Sequence, residues 1–176
     1  MVRASARMGR CAIALACAAL PGACADPVHD DAVRALGAET QGVPPGPTHR
    51  AGQPCLTCHG GSGPAFRQLS IGGTVYAVLG SSAPALGAVV QIEDVDGRVA
   101  RPTTNSAGNF FLTPDQFAPR YPLQMKIWSS SGNTSEQMQS LATRDGSCAG
   151  CHADSASPTS PGPVYLSATA PDGGAP

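Results

Sequence analysis

Two cysteine pairs, each followed by a histidine, carry the chemistry that this sequence offers. Cys55-Leu56-Thr57-Cys58-His59 and Cys148-Ala149-Gly150-Cys151-His152 share the C-x-x-C-H spacing and little else. That pentapeptide is the attachment signature of c-type haem. Its thiols add across two porphyrin vinyl groups as thioethers, and the adjoining histidine reaches the iron from one side. The spacing assigns Cys55, Cys58, Cys148 and Cys151 to two covalently bound haems, with His59 and His152 as axial ligands. Two other readings stand beside it. A four-cysteine zinc site would draw on both pairs across the 89 residues between Cys58 and Cys148, and would leave both histidines without a role. Disulfides within or between the pairs suit an oxidising compartment.

The sixth position on each iron decides the chemistry: a held ligand gives an electron-transfer centre, an open one binds small molecules. His49 and His29 are the two remaining histidines and the candidate distal ligands. His49 lies six residues before Cys55, on a proline-bounded segment that favours reaching the second haem over its own. Met125 and Met138 compete, with Met125 placed for core packing on a strand's inward face. Trp128 and Tyr121 are candidates to pack on a porphyrin or to fill the core. Asp94 and Asp96 flank a turn where aspartate bonds the local backbone, with calcium as the alternative. No G-x-S-x-G, H-E-x-x-H or phosphate-binding glycine loop occurs, so the chain reads as an electron carrier, not an enzyme.

The amino-terminus supplies the compartment. Arg3, Arg7 and Arg10 precede the apolar run Cys11–Leu20 and then Ala23-Cys24-Ala25, the plan of an export signal over residues 1–25. Cleavage after Ala25 gives a periplasmic protein. The segment also resembles a bacterial lipoprotein signal, in which Cys24 carries a lipid and holds the chain to a membrane or the cell surface. Removing the three arginines leaves eight basic against twelve acidic residues, which excludes a nucleic-acid partner.

The elements that must position the motifs follow from the rest of the chain. Residues 26–69 read as a loop-rich, proline-punctuated segment holding the first motif. Residues 70–145 contain short runs rich in β-branched and aromatic residues, "GTVYAVLG", "GAVVQIED", "GRVARPTT", "GNFFLT" and "LQMKIWSS", separated by turn signals. Asp96-Gly97 predicts a type I′ hairpin turn. Residues 146–176 hold the second motif, a last edge strand in "PVYLSA" and a disordered tail. The pattern is mainly β, a small antiparallel sandwich flanked by loop-rich haem-binding segments.

The run "GTVYAVLGSSAPALGAVVQIEDVDGRVARPTTNSAGNFFL" resembles the carboxypeptidase regulatory-like, transthyretin-like β-sandwich domain. The likeness rests on Gly73 to Val75, Gly87 to Ile92, Asp94 to Gly97 and Thr104 to Leu112, within residues 70–130. With "GQPCLTCH" before it and "GSCAGCH" after, the chain resembles small bacterial dihaem c-type cytochrome-like proteins. That resemblance implies an exported electron carrier passing electrons to redox partner proteins or to a periplasmic or extracellular acceptor. A surface lipoprotein binding module, with structural disulfides or zinc in its C-x-x-C pairs, is the alternative, and a haem peroxidase comes third.

Overall fold

The computed structural model describes residues 26–153 and 155–168. Residues 1–25, where the sequence predicts an export signal with Cys24, lie outside the described residues, as does the tail beyond 168.

The described chain is mainly β, with two sheets. Strand β1 (Ile71–Val78) is central to a three-stranded sheet, flanked by β4 (Asn109–Leu112) and β7 (Val164–Ser167). The second sheet runs β3 (Val99–Ala100), β2 (Val89–Glu93), β5 (Gln124–Trp128), β6 (Ser135–Gln137). Both contribute to one apolar cluster: Ile71, Val75, Phe110 and Leu112 from the first, Val90, Ile92 and Ile127 from the second. Alternation places them there, because side chains two apart along a strand share a face. In β2, Val90 and Ile92 are buried while Gln91 between them is half-exposed. Met125 packs against this cluster, as does Tyr121.

Three features depart from the sequence reading. The pairing is not antiparallel throughout: β7 runs parallel to β1, with Val75 opposite Val164. The connection between them runs over residues 79–163, so no local turn dictates its direction. The Asp96-Gly97 turn is not type I′, since Gly97 has φ +77° while Arg50 alone among the described non-glycine residues has positive φ. Gly97 N–H donates to the Asp94 carbonyl and Asp94 N–H to that of Arg98, a three-residue loop closed by a left-handed glycine. Asp94 fixes it by accepting from the N–H groups of Asp96, Arg98 and Arg120 and from the Arg98 guanidinium. Burial alone would raise its carboxyl, but these bonds outweigh it and hold the pKa below the ordinary value. Asp96 pairs with Arg120 at 2.9 Å, so both aspartates of the turn are bonded within the protein.

The third departure is helix α1 (Pro27–Ala35), in a segment read as loop-rich. Asp26 caps it by accepting from the Val28 and His29 N–H groups, Pro27 opens it, and Arg34 sits in its last turn. His29, Val33 and Leu36 fall at i, i+4 and i+7, one face of a helix.

Candidate functional site

Each C-x-x-C-H motif folds as one helical turn. Cys55–His59 is the short helix α2, and Cys148–Gly150 is a 3-10 turn whose Cys148 carbonyl also accepts from His152 N–H at 2.8 Å. A helical turn gathers residues i, i+3 and i+4 on one side, which groups both thiols with the imidazole. All four cysteines are free; Cys151 is exposed and the others are half-buried.

Strand β1 lies between the two motifs. A Cβ added to Gly72 would stand 3.0 Å from the Cβ of Cys55 and 3.1 Å from its Sγ. A Cβ added to Gly73 would stand 2.7 Å and 2.8 Å from the same atoms of Cys148. Adjacent residues of a strand face opposite sides of the sheet, so Cys55 and Cys148 rest on opposite faces of β1. Their partners across the ladder agree. Phe110, opposite Gly73, belongs to the apolar cluster with Cys148 packed against it, whereas Phe111, opposite Gly72, lines the cleft of the first motif. A side chain at either position would crowd a thiol, and at Gly73 it would overlap that of Cys148.

Each motif opens onto its own cleft, one of about 590 Å³ and one of about 620 Å³, both within the range of small-molecule and cofactor sites. Val33, Leu36, Pro47, Leu69 and Phe111 give the first cleft apolar walls around Cys55, Cys58 and His59. The second enters between the sheets, where Val75, Val90 and Ile127 line it together with Tyr165, Cys148, Cys151 and His152. Phe110 borders both.

The histidines are held through Nδ1. His59 Nδ1 lies 2.7 Å from the Arg67 carbonyl and His152 Nδ1 lies 2.9 Å from that of Gly162. A carbonyl only accepts, so Nδ1 carries the proton and Nε2 keeps the lone pair that a metal needs. His49 Nδ1 stands 3.2 Å from Glu39 Oε1. Partial burial would raise the Glu39 carboxyl, but Arg50 and His49 beside it hold it below the ordinary range, as a carboxylate. The loop carrying His49 is tied to the outer face of β4, since Asn109 Nδ2 donates to the His49 carbonyl at 2.9 Å and Asn109 Oδ1 accepts from Thr74 at 2.7 Å.

His49 lies in the first cleft, its ring centre 5.8 Å from that of His59 at an interplanar angle of 76°. This departs from the expectation that it reaches the second motif: the loop before Cys55 turns at residues 50–53, where Arg50 (φ +50°) and Gly52 (φ +82°) are left-handed and Gln53 N–H donates to the Arg50 carbonyl. His29 joins neither cleft; its Nε2 is buried without a hydrogen-bond partner on α1. Met125 and Met138 both line the second cleft. Trp128 and Tyr121 line neither, and the aromatic walls are Phe110, Phe111 and Tyr165, which strand patterning read only as core or edge.

The residues present fit haem. Two metal–nitrogen bonds of about 2 Å, with about 1 Å from each nitrogen to its ring centre, span about 6 Å, close to the His49–His59 separation. Burial pushes the Cys55 thiol up to about 11 and the Cys148 thiol up to about 12, so both are neutral thiols near pH 7, inert as free nucleophiles. Among the described residues no three His, Cys, Asp or Glu side chains converge as a metal-ion cluster. No helix of the described residues is long and apolar enough to cross a membrane.

Comparison with protein-family models, with curated proteins and with solved structures finds no match for this chain.

Proposed function

We propose that this protein is an exported dihaem c-type cytochrome that works by outer-sphere electron transfer. One observation carries the reading: each C-x-x-C-H motif borders a cleft of cofactor size, with its histidine fixed through Nδ1 and its Nε2 free for a metal. Cys55 and Cys58 would hold one haem with His59 as axial ligand, and Cys148 and Cys151 the other with His152. Bound haem supplies a one-electron couple between Fe(III) and Fe(II). The chain's own residues do the rest. His49, in the same cleft as His59, would be the second protein ligand and would exclude small molecules, while Glu39 and the Arg67 carbonyl orient the two rings.

The two sheets and the residue matches over 70–130 support a sandwich of the carboxypeptidase regulatory-like kind as the scaffold. Residues 1–25 support export, and Cys24 supports attachment to a membrane through a lipid. Redox partner proteins, or an acceptor in the periplasm or outside the cell, would complete the circuit. A single zinc ion on all four cysteines, or disulfides between the pairs, fits poorly with a strand standing between Cys55 and Cys148.

The test is the exported protein made in a host that matures c-type cytochromes. Its intact mass should exceed that of the processed chain by two haems, and a pyridine haemochrome spectrum should show thioether-linked haem at two per chain. A mass showing only oxidised or zinc-loaded thiols would end the proposal.

A further inference from the structure

The two clefts differ in what they hold beyond their motifs. The first brings a second histidine to within 5.8 Å of the motif histidine. The second brings no histidine besides His152, but two thioethers, Met125 and Met138. Only one of them is free of another duty. Met125 lies on β5 opposite Ile92, which is fully buried, and packs against the apolar cluster. Met138 follows the edge strand β6, is half-buried, and stands outside that cluster while lining the cleft. Its backbone is nevertheless fixed on both sides. Met138 N–H donates to the Met125 carbonyl at 3.0 Å, and Gln124 Nε2 donates to the Met138 carbonyl at 2.9 Å. Met138 and His152 also come from separate walls. The segment 136–145 carries the methionine, while His152 is held against the segment around Gly162.

We infer that Met138 is the sixth ligand of the second haem iron, so that the two centres are unlike: two histidines at the first, histidine and methionine at the second. This rests on the dihaem reading above. Thioether sulfur favours the ferrous ion more than imidazole does, so a methionine ligand raises the reduction potential. The second centre, set between the sheets, is therefore the one that holds an electron first when the protein is partly reduced.

The experiment uses the haem-loaded exported protein. Its ferric spectrum should show the far-red charge-transfer band of thioether-ligated haem at an intensity of one site per chain, and a redox titration should resolve two one-electron waves. In Met138→Leu the band should vanish and one of the two reduced haems should bind carbon monoxide, with both haems still present by mass. Met138→His should restore a low-spin, carbon monoxide-resistant iron without the band and shift the higher wave downward. Met125→Leu should keep the band, and His29→Ala should change nothing at this site. A dihaem protein that lacks the band, keeps it in Met138→Leu, or loses it only in Met125→Leu overturns the assignment while leaving the dihaem reading intact. A chain with no covalent haem overturns both.

Discussion

The two motif regions are the same five-residue pattern set in opposite surroundings. At the first, α2 rests on the outer face of β1, roofed by α1 and by a loop pinned through Asn109. At the second, the 3-10 turn lies on the inner face, where its cleft runs between the sheets and shares the apolar cluster. The first site is therefore closed by segments laid on the outer face of β1 and β4, and the second lies between the sheets. A local pattern fixes which thiols and imidazole are grouped; its position in the fold fixes how dry the site is and what else reaches it.

The sharpest way to break the comparison is at the glycines between the motifs. Gly73→Val should abolish occupancy of the second site, because its branches would meet Cys148 and the Phe110 ring; intact mass should show one haem in place of two. Gly73→Ala, with its Cβ at 2.7 Å from Cys148, should cost about 2–3 kcal/mol by overpacking, and Gly72→Ala, at 3.0 Å from Cys55, about 1 kcal/mol. Urea unfolding of the unloaded chain measures both. An equal cost at the two positions would contradict the tighter inner packing.

Next in size is His49→Ala. The first haem should become high-spin and bind carbon monoxide on reduction, while the second keeps its wild-type response, as absorption spectra before and after the gas would show. An unchanged spectrum would make His49 a wall residue only. Asn109→Ala should have the same sense but be partial, since the loop loses its tether and not its ligand. The side chain is buried and joins Thr74 to the His49 carbonyl, so its loss should also lower stability by about 1–3 kcal/mol.

Alkaline pH separates the two thiols in the unloaded chain. Burial raises Cys55 from 9.0 to about 11 and Cys148 to about 12. Above pH 9 the unfolded chain loses these protons first and binds fewer than the folded one. This contribution is full below pH 9 and drains away as pH rises through about 11 to 12. Urea midpoints should fall over that window, Cys148→Ser should flatten the fall more than Cys55→Ser, and the haem-loaded protein, whose sulfurs are thioethers, should lack it. The smallest expected effect is Glu39→Gln. Losing the carboxylate beside His49 Nδ1 makes the imidazole a weaker donor, so the lower of the two redox waves should rise slightly while the higher stays in place.

Much of this was readable in the order of residues alone. The C-x-x-C-H spacing groups two thiols with an imidazole because one helical turn is local, and the strands over 70–130 follow from alternation and turn residues. Helix α1 was also legible, in Asp26-Pro27 and the His29, Val33, Leu36 spacing, but lay hidden among prolines. Edge strand β6, three exposed residues, carries no apolar signal and exists only because β5 offers it a partner. Tertiary structure alone decided that Gly72 and Gly73 separate the motifs, that β7 runs parallel to β1, and that His49 faces His59 while Met138 joins His152's cleft. Those are contacts between segments far apart in sequence, or turns of a loop whose direction depends on a distant tether such as Asn109. Spacing encodes a local bond, whereas which cleft a side chain enters is settled by the packing of the whole chain.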